Sequence, residues 1–205
     1  NSKSLYDAYI KAFRWSTDRL GNTEGIICFV SNASWIDGNS ADGFRNCIEK
    51  EFSAIYVFNT RGNARTQGEL RKKEAGNVFG GGSRTPIAIT LLVKNPKLKS
   101  EKATIQYYDI GDYFNREEKL SIVKRYNSVS NSEIKWNNLQ PNEHGDWISQ
   151  RNAKFENYIP LGDRDENSFF NNYCYGLTTA RDSWVYNFSK SVLSNNIKRT
   201  TAFYN

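Results

Sequence analysis

The chain has 205 residues, enough for one large or two small domains with a buried core. Apolar residues make up 38% and aromatic residues 14%, which argues against disorder, and no apolar run approaches the roughly 20 residues of a membrane span. The formal net charge of +6 favours an anionic partner such as nucleic acid but equally suits an ordinary basic protein.

In chain order, residues 2–20 predict a helix: Leu5, Tyr9, Ala12, Phe13, Ser16 and Leu20 recur at three-to-four spacing and Gly21 stops it. Residues 25–31 (GIICFVS) are a continuous apolar run, the pattern of a parallel strand covered on both faces. Residues 40–52 predict a second helix with Phe44, Cys47, Ile48 and Phe52 inward, and residues 54–59 (AIYVFN) a second strand. Residues 61–84 (RGNARTQGELRKKEAGNVFGGGSR) form a long, structureless, basic loop that runs into a buried-type strand at 85–94, with Pro86 tolerated at its start. The last two strands have no helix pattern between them and are expected to pair antiparallel, with the basic loop at the tip. Residues 95–102 are a polar linker, 103–109 strand-like, and 115–126 an amphipathic helix with Leu120, Ile122 and Val123 apolar. Beyond that the chain is rich in Asn, Trp and Tyr and shows no period, repeat or low-complexity tract.

Three cysteines, Cys28, Cys47 and Cys174, make no CxxC motif, and the lone His144 has no partner, so a metal site is not expected. The same cysteine usage suits a reducing, cytoplasmic compartment. Methionine is absent even at position 1, from which the chain is expected to be an internal piece of a longer protein.

Long loops without secondary structure are usually functional. This one carries Arg61, Arg65, Arg71, Lys72, Lys73 and Arg84 against two glutamates, with Phe79 beside Gly80, Gly81 and Gly82. The glycines do not make a cofactor cradle, because such a loop follows a strand and opens a helix, whereas this one precedes a strand. Cations with an aromatic suit a polyanion with exposed bases. Phe79 has two readings, a local anchor pinning the loop to the sheet or a platform on which an unstacked base lies. Two readings also stand for Asn32, Ser34, Trp35 and Asp37, a ligand site beyond a strand end or an ordinary polar turn. The charged residues of 116–125 read as a solvated face. Residues 178–182 (TTARD) sit in an aromatic setting, where Thr179 and Arg181 are candidates for contact with phosphate or base edges, or form a turn.

Several stretches, in order, resemble the later motifs of the gamma-class N6-adenine-specific DNA methyltransferases, most closely those of the single-chain type ISP restriction–modification enzymes. They are LYDAYIKAFRWSTDRL, GIICFVSNASWIDGNSADGFRNCIEKEF, AIYVFNTRGNAR and GNVFGGGSRTPIAITLLVK, continued by IGDYFNREEKL and GLTTARDSWVYNFS. The glycine-rich S-adenosylmethionine motif and the Asn-Pro-Pro-aromatic motif that such enzymes carry are absent, since Pro86, Pro96, Pro141 and Pro160 are each isolated. No catalytic residue can therefore be named in this chain.

The resemblance implies an α/β fold. Residues 1–95 would form the second half of a Rossmann-like methyltransferase sheet with an antiparallel last strand. Residues 96–205 would form a smaller irregular α+β region that connects to and begins the target-recognition domain. It also implies that Phe79 stacks on a flipped adenine, with Ser83 and Thr85 beside the base and Arg61, Arg65, Arg71, Lys72, Lys73, Arg84, Thr179 and Arg181 on DNA. S-adenosylmethionine would belong to the full-length parent and not to this fragment, which is expected to be inactive alone. The implied partners are double-stranded DNA and the rest of the parent polypeptide, with helicase and nuclease domains as further candidates, and no membrane. The alternative is a noncatalytic DNA-recognition module that uses the basic loop simply to bind.

Overall fold

The structure, a computed structural model, describes residues 3–98, 101–152, 154, 157–162, 168–172, 174, 176 and 179–204. It divides into two units, Asn1–Arg151 and Asn152–Asn205. In the first unit, helix α1 (Ala8–Leu20) buries Ile10, Phe13 and Thr17 at helical spacing. It ends where Gly21, at φ +55°, donates its amide to the Thr17 carbonyl. Strand β1 (Gly25–Asn32), helix α2 (Asp42–Glu51), strand β2 (Ala54–Arg61), helix α3 (Gly68–Glu74) and strand β3 (Ile87–Lys94) follow. Then come β4 (Thr104–Asp109), α4 (Arg116–Tyr126) and β5 (Asn137–Leu139). Helix α4 starts on a reciprocal capping box between Asn115 and Glu118 and stops at Asn127 in the left-handed conformation.

One mixed five-stranded sheet results, in the order β1-β3-β2-β4-β5. Strand β3 lies antiparallel between β1 and β2, as expected of the last two strands, and β4 runs parallel to β2. The sheet continues past residue 95, since β4 and β5 join it.

Strand β1 departs from expectation. It is antiparallel to its one neighbour among the described strands and is not covered on both faces. Ile27 is buried, whereas Ile26, Cys28 and Val30, on the alternate face, are exposed. An apolar run states that both faces tolerate apolar side chains; it does not state which neighbours cover them. Cys47 on α2 and Leu120 on α4, both read as inward, are likewise exposed.

The main core lies on the sheet face beneath α1 and α2, where Phe13, Trp35, Ile48, Ile55, Val57, Leu92 and Ile105 meet. Trp35 stands 5.3 Å from Phe44 and 5.4 Å from Trp147, edge-on to both. A second cluster, with Phe58, Ile110, Tyr126 and Ile134, fills the opposite face under α4.

Residues 142–151 return to α2 and lock the main core with polar contacts. The buried Glu49 carboxylate accepts from Trp147 Nε1 at 2.6 Å, and Asp37 accepts from the Ser149 amide and hydroxyl at 2.9 and 2.8 Å. The 32–37 turn is thus structural, with Trp35 in the core and Asp37 engaged. Asp146 is enclosed here. Burial alone would raise its carboxyl, but the side chain and backbone of Arg151 and the Asn142 amide hold it down at about 2. A carboxylate depressed below its ordinary value of 3.8 contributes stability that is present above pH 4 and is lost as pH falls toward 2. Thermal melts between pH 5 and 2 should therefore show a loss that Asp146→Asn reduces; equal losses in both proteins would remove Asp146 from the account.

The second unit contains a bridge between Gly162 and Phe170, a short α5 (Asp182–Val185) and α6 (Lys190–Tyr204). No helix among the described residues is long and apolar enough to cross a membrane.

Candidate nucleic-acid interface

The β2–β3 connection is not the structureless loop expected. It contains α3, a helix with no buried side chain, so nothing in an apolar pattern announced it. What holds it is polar. The Glu74 carboxylate, at the end of α3, accepts from the Gly62 and Asn63 amides at 2.8 Å each. The Asn77 side chain donates to the carbonyls of Gly62 and Thr85, at 3.2 and 2.8 Å, and accepts from the Phe79 amide at 3.0 Å, tying the two arms of the loop together.

A second wall comes from the segment between β4 and α4. The Tyr113 amide donates to the Lys73 carbonyl at 2.9 Å and its hydroxyl to Glu69 at 2.8 Å. Arg116 Nε donates to the Val78 carbonyl at 3.1 Å, and Lys119 Nζ donates to the carbonyls of Glu74 and Gly76 at 2.8 and 2.7 Å. Gly76 is pressed so closely against this wall that a Cβ there would lie 2.6 Å from the Arg116 amide nitrogen.

The six loop cations separate into two sets. Arg61, at φ +57° just past a register shift in β2, bonds Asp109 at 2.6 Å and also Asp112. Burial lowers the proton affinity of its guanidinium, and the two carboxylates more than restore it. Asp109 also accepts from the Tyr107 hydroxyl at 3.1 Å, and Tyr107 from Asn59 at 2.9 Å, so this network closes the carboxyl ends of β2 and β4. Lys73 stands 3.5 Å from Asp112, and Arg71 caps α3 by donating to the Ala75 carbonyl at 2.6 Å. These three charges are committed within the fold. Lys72 has only an exposed partner, Glu69, at 3.5 Å. Arg65 and Arg84 are exposed, and their side chains have no hydrogen bond or ion pair among the described residues. They are brought side by side where the Ala64 amide donates to the Arg84 carbonyl at 3.0 Å.

Phe79 is 59% exposed, and Ser83 and Thr85 are half-buried on the arm leading into β3. The loop thus carries an uncovered ring, two exposed guanidiniums and three glycines. Reading by composition missed the frame, in which Glu74, Asn77, Asp109, Asp112 and Lys119 hold the loop. The one local signal for it was the Asn115/Glu118 capping box. Among the described residues no group of three or more His, Cys, Asp or Glu side chains is placed to hold a metal.

In the second unit, Thr179 lies just before α5. Its hydroxyl donates to Asp182 and accepts from the Arg181 amide at 3.1 Å. Arg181 donates to the Tyr204 hydroxyl at 2.7 Å, and Arg199 lies 5.9 Å from the Trp184 ring. Thr178 lies outside the described residues.

Residues 168–205, which include these side chains, match the type ISP C-terminal specificity domain. Three solved structures match nearly the whole chain. A nuclease-deletion mutant of the type ISP restriction–modification enzyme LlaGI, in complex with a DNA substrate mimic, is 47% identical over 94% of this chain, with a TM-score of 0.83. The ATP-dependent type ISP restriction–modification enzyme LlaBIII, bound to DNA, is 38% identical over 100% of this chain, with a TM-score of 0.90. The chain is similar over nearly its whole length to a segment of type ISP restriction–modification enzymes. The DrdV–DNA complex is also similar, 31% identical over 100% of the chain with a TM-score of 0.85. The chain spans 15%, 14% and 20% of the lengths of these three proteins. No curated protein matches it.

Proposed function

We propose that this segment works within a type ISP restriction–modification enzyme that transfers a methyl group from S-adenosylmethionine to adenine N6, and that it supplies a wall of the flipped-base pocket and part of the DNA-binding surface. One observation carries the reading. In the β2–β3 loop Phe79 is exposed, and Arg65 and Arg84 of the same loop are exposed with no side-chain partner among the described residues. Extruding a base from the duplex forfeits its stacking, and an uncovered ring in a loop with phosphate-seeking charges offsets that loss. The match to a specificity domain over residues 168–205 supports a DNA-reading role for the second unit. Thr179 and Arg181 remain its candidate contacts.

The cofactor falls to other segments of the parent. The carboxyl ends of β2 and β4, where a sheet of this kind receives ligands, are filled by the Arg61–Asp109–Tyr107–Asn59 network. Adenine specificity and the role of this segment are tested together by assaying methyl transfer in the parent enzyme. A product at N6 of adenine is expected, and a parent that binds DNA but methylates nothing would favour a purely recognising module.

The loop charges carry their own prediction. Replacing Arg65, Lys72 and Arg84 together by alanine should weaken DNA binding for every sequence and flatten the salt dependence by about one unit of slope per lost phosphate contact. Arg61→Ala should instead loosen the loop, because its charge is spent on Asp109 and Asp112. Binding measured from low to moderate salt decides the matter; an unchanged slope in the triple variant would leave these as solvated surface charges.

A further inference from the structure

A lysine with no accessible surface is costly to keep charged, since its ammonium gives up bulk hydration. Lys119, in the first turn and a half of α4, has 0% exposure, and among the described residues no carboxylate lies within ion-pairing distance of it. Its nitrogen is satisfied by main-chain carbonyls alone, those of Glu74 and Gly76, which lie 45 and 43 residues away in the chain. Burial pushes it down to about 8, with Glu74 the largest influence in the other direction. An apolar side chain would fill the same space without that cost, but it would leave two buried carbonyls without donors.

The two carbonyls mark a particular place. Glu74 closes α3, where unpaired carbonyls concentrate negative charge. Gly76 begins the short run to Phe79 and is packed directly against the start of α4. Two residues on, the Val78 carbonyl takes Arg116 Nε, and the Phe79 amide is held by Asn77. The path from α4 to the Phe79 ring is therefore four residues of backbone, bonded at each end.

The geometry points to Lys119 as a positioning residue for the loop: its bonds to the Glu74 and Gly76 carbonyls fix the segment carrying Phe79 against α4 before DNA is bound. The functional part of this inference rests on the reading of Phe79 as a base platform. Holding the ring in place beforehand removes an ordering cost from base capture, which is what preorganisation contributes to any binding site.

The test uses the parent enzyme with Lys119→Met, Phe79→Ala and the double variant. Hydrogen exchange of the amides of Gly62, Asn63 and Phe79, which depend on this frame, should quicken about tenfold or more in Lys119→Met, the effect of removing hydrogen bonds worth a kilocalorie or so each. A 2-aminopurine placed at the target adenine should report less extruded base in Lys119→Met, and the double variant should fall no further than Phe79→Ala alone, because coupled residues do not act additively. Exchange at the wild-type rate overturns the proposal. So does fast exchange with a wild-type base signal while Phe79→Ala loses it. If Phe79→Ala leaves that signal unchanged while Lys119→Met still frees the loop amides, Lys119 positions the loop and the platform reading is what fails. Should Lys119→Met not fold, Arg116→Ala removes the neighbouring tie to Val78 from an exposed position, and the same two outcomes decide.

Discussion

Arg45→Ala should destabilise the first unit by about 3–5 kcal/mol, the range for stripping one partner from a buried charged cluster. Arg45 is 1% exposed. Its Nε donates to the Gly145 carbonyl at 2.7 Å, and its Nη1 to those of Trp35 and Gly38 at 2.8 Å each. Its Nη2 lies 3.5 Å from Asp146. Burial lowers its proton affinity, with Asp146 foremost among the carboxylates that offset this, and a guanidinium stays charged throughout. One side chain thus joins the turn after β1, the helix α2 and the returning 142–151 segment. Alanine leaves the Trp35 and Gly145 carbonyls without donors, whereas the Gly38 carbonyl keeps the Ala41 amide and Asp146 keeps Arg151. Arg45→Lys should recover little, because one ammonium on a flexible stem does not reproduce a planar fork that reaches separate carbonyls. Urea unfolding followed by tryptophan fluorescence would measure this, since Trp35 and Trp147 are buried beside the cluster. A midpoint within error of the wild-type protein would show that the three segments hold together without it.

That cluster also shows where reading the sequence stops working. Apolar spacing located α1 and α2, and runs of apolar, β-forming residues located β2 and β3, because both signals are local. The inward position of Arg45 and Glu49 was not legible. Their partners, Gly145, Asp146 and Trp147, lie about a hundred residues away, and a charged residue on a helix is by default read as solvated. The partners of the loop charges were hidden in the same way. Arg61 and Lys73 read as open cations, and only the fold brings Asp109 at the end of β4 and Asp112 just after it beside them. Lys119 looked like part of a solvated helix face, and only the fold places it over the end of α3.

The exposure of three loop side chains was legible in the sequence. Glycines, a lone ring and arginines without nearby acids are a local composition, and the fold leaves Arg65, Phe79 and Arg84 uncovered. The fold also explains why so few cations are free. Holding a helix that buries nothing requires polar ties, and Arg61, Arg71 and Lys73 supply several of them, alongside the Glu74, Asn77 and Lys119 bonds. A loop of this length is then a framed element that leaves a few side chains uncovered.

Phe79→Ala in the parent enzyme should lose stacking of about 1–3 kcal/mol, a fivefold to 150-fold loss of affinity for the flipped state. The ring is 59% exposed, so little apolar surface leaves a packed environment on truncation, and the melting temperature should move by no more than a degree or two. The backbone around it should hold, because the Asn77 bond is to the Phe79 amide and not to the ring. Two measurements separate the possibilities. The 2-aminopurine signal at the target adenine should fall, because less of the base leaves the duplex. Methyl transfer at subsaturating DNA should fall with it, while binding to DNA lacking the target site should stay unchanged, since on the proposed reading that binding rests on charges such as Arg65 and Arg84 rather than on the ring. A Phe79→Trp replacement should keep most of the signal, because a larger π-face stacks at least as well. If alanine instead lowers the melting temperature by many degrees and leaves base extrusion intact, Phe79 is a packing anchor, and the outer end of the loop holds DNA by charge alone.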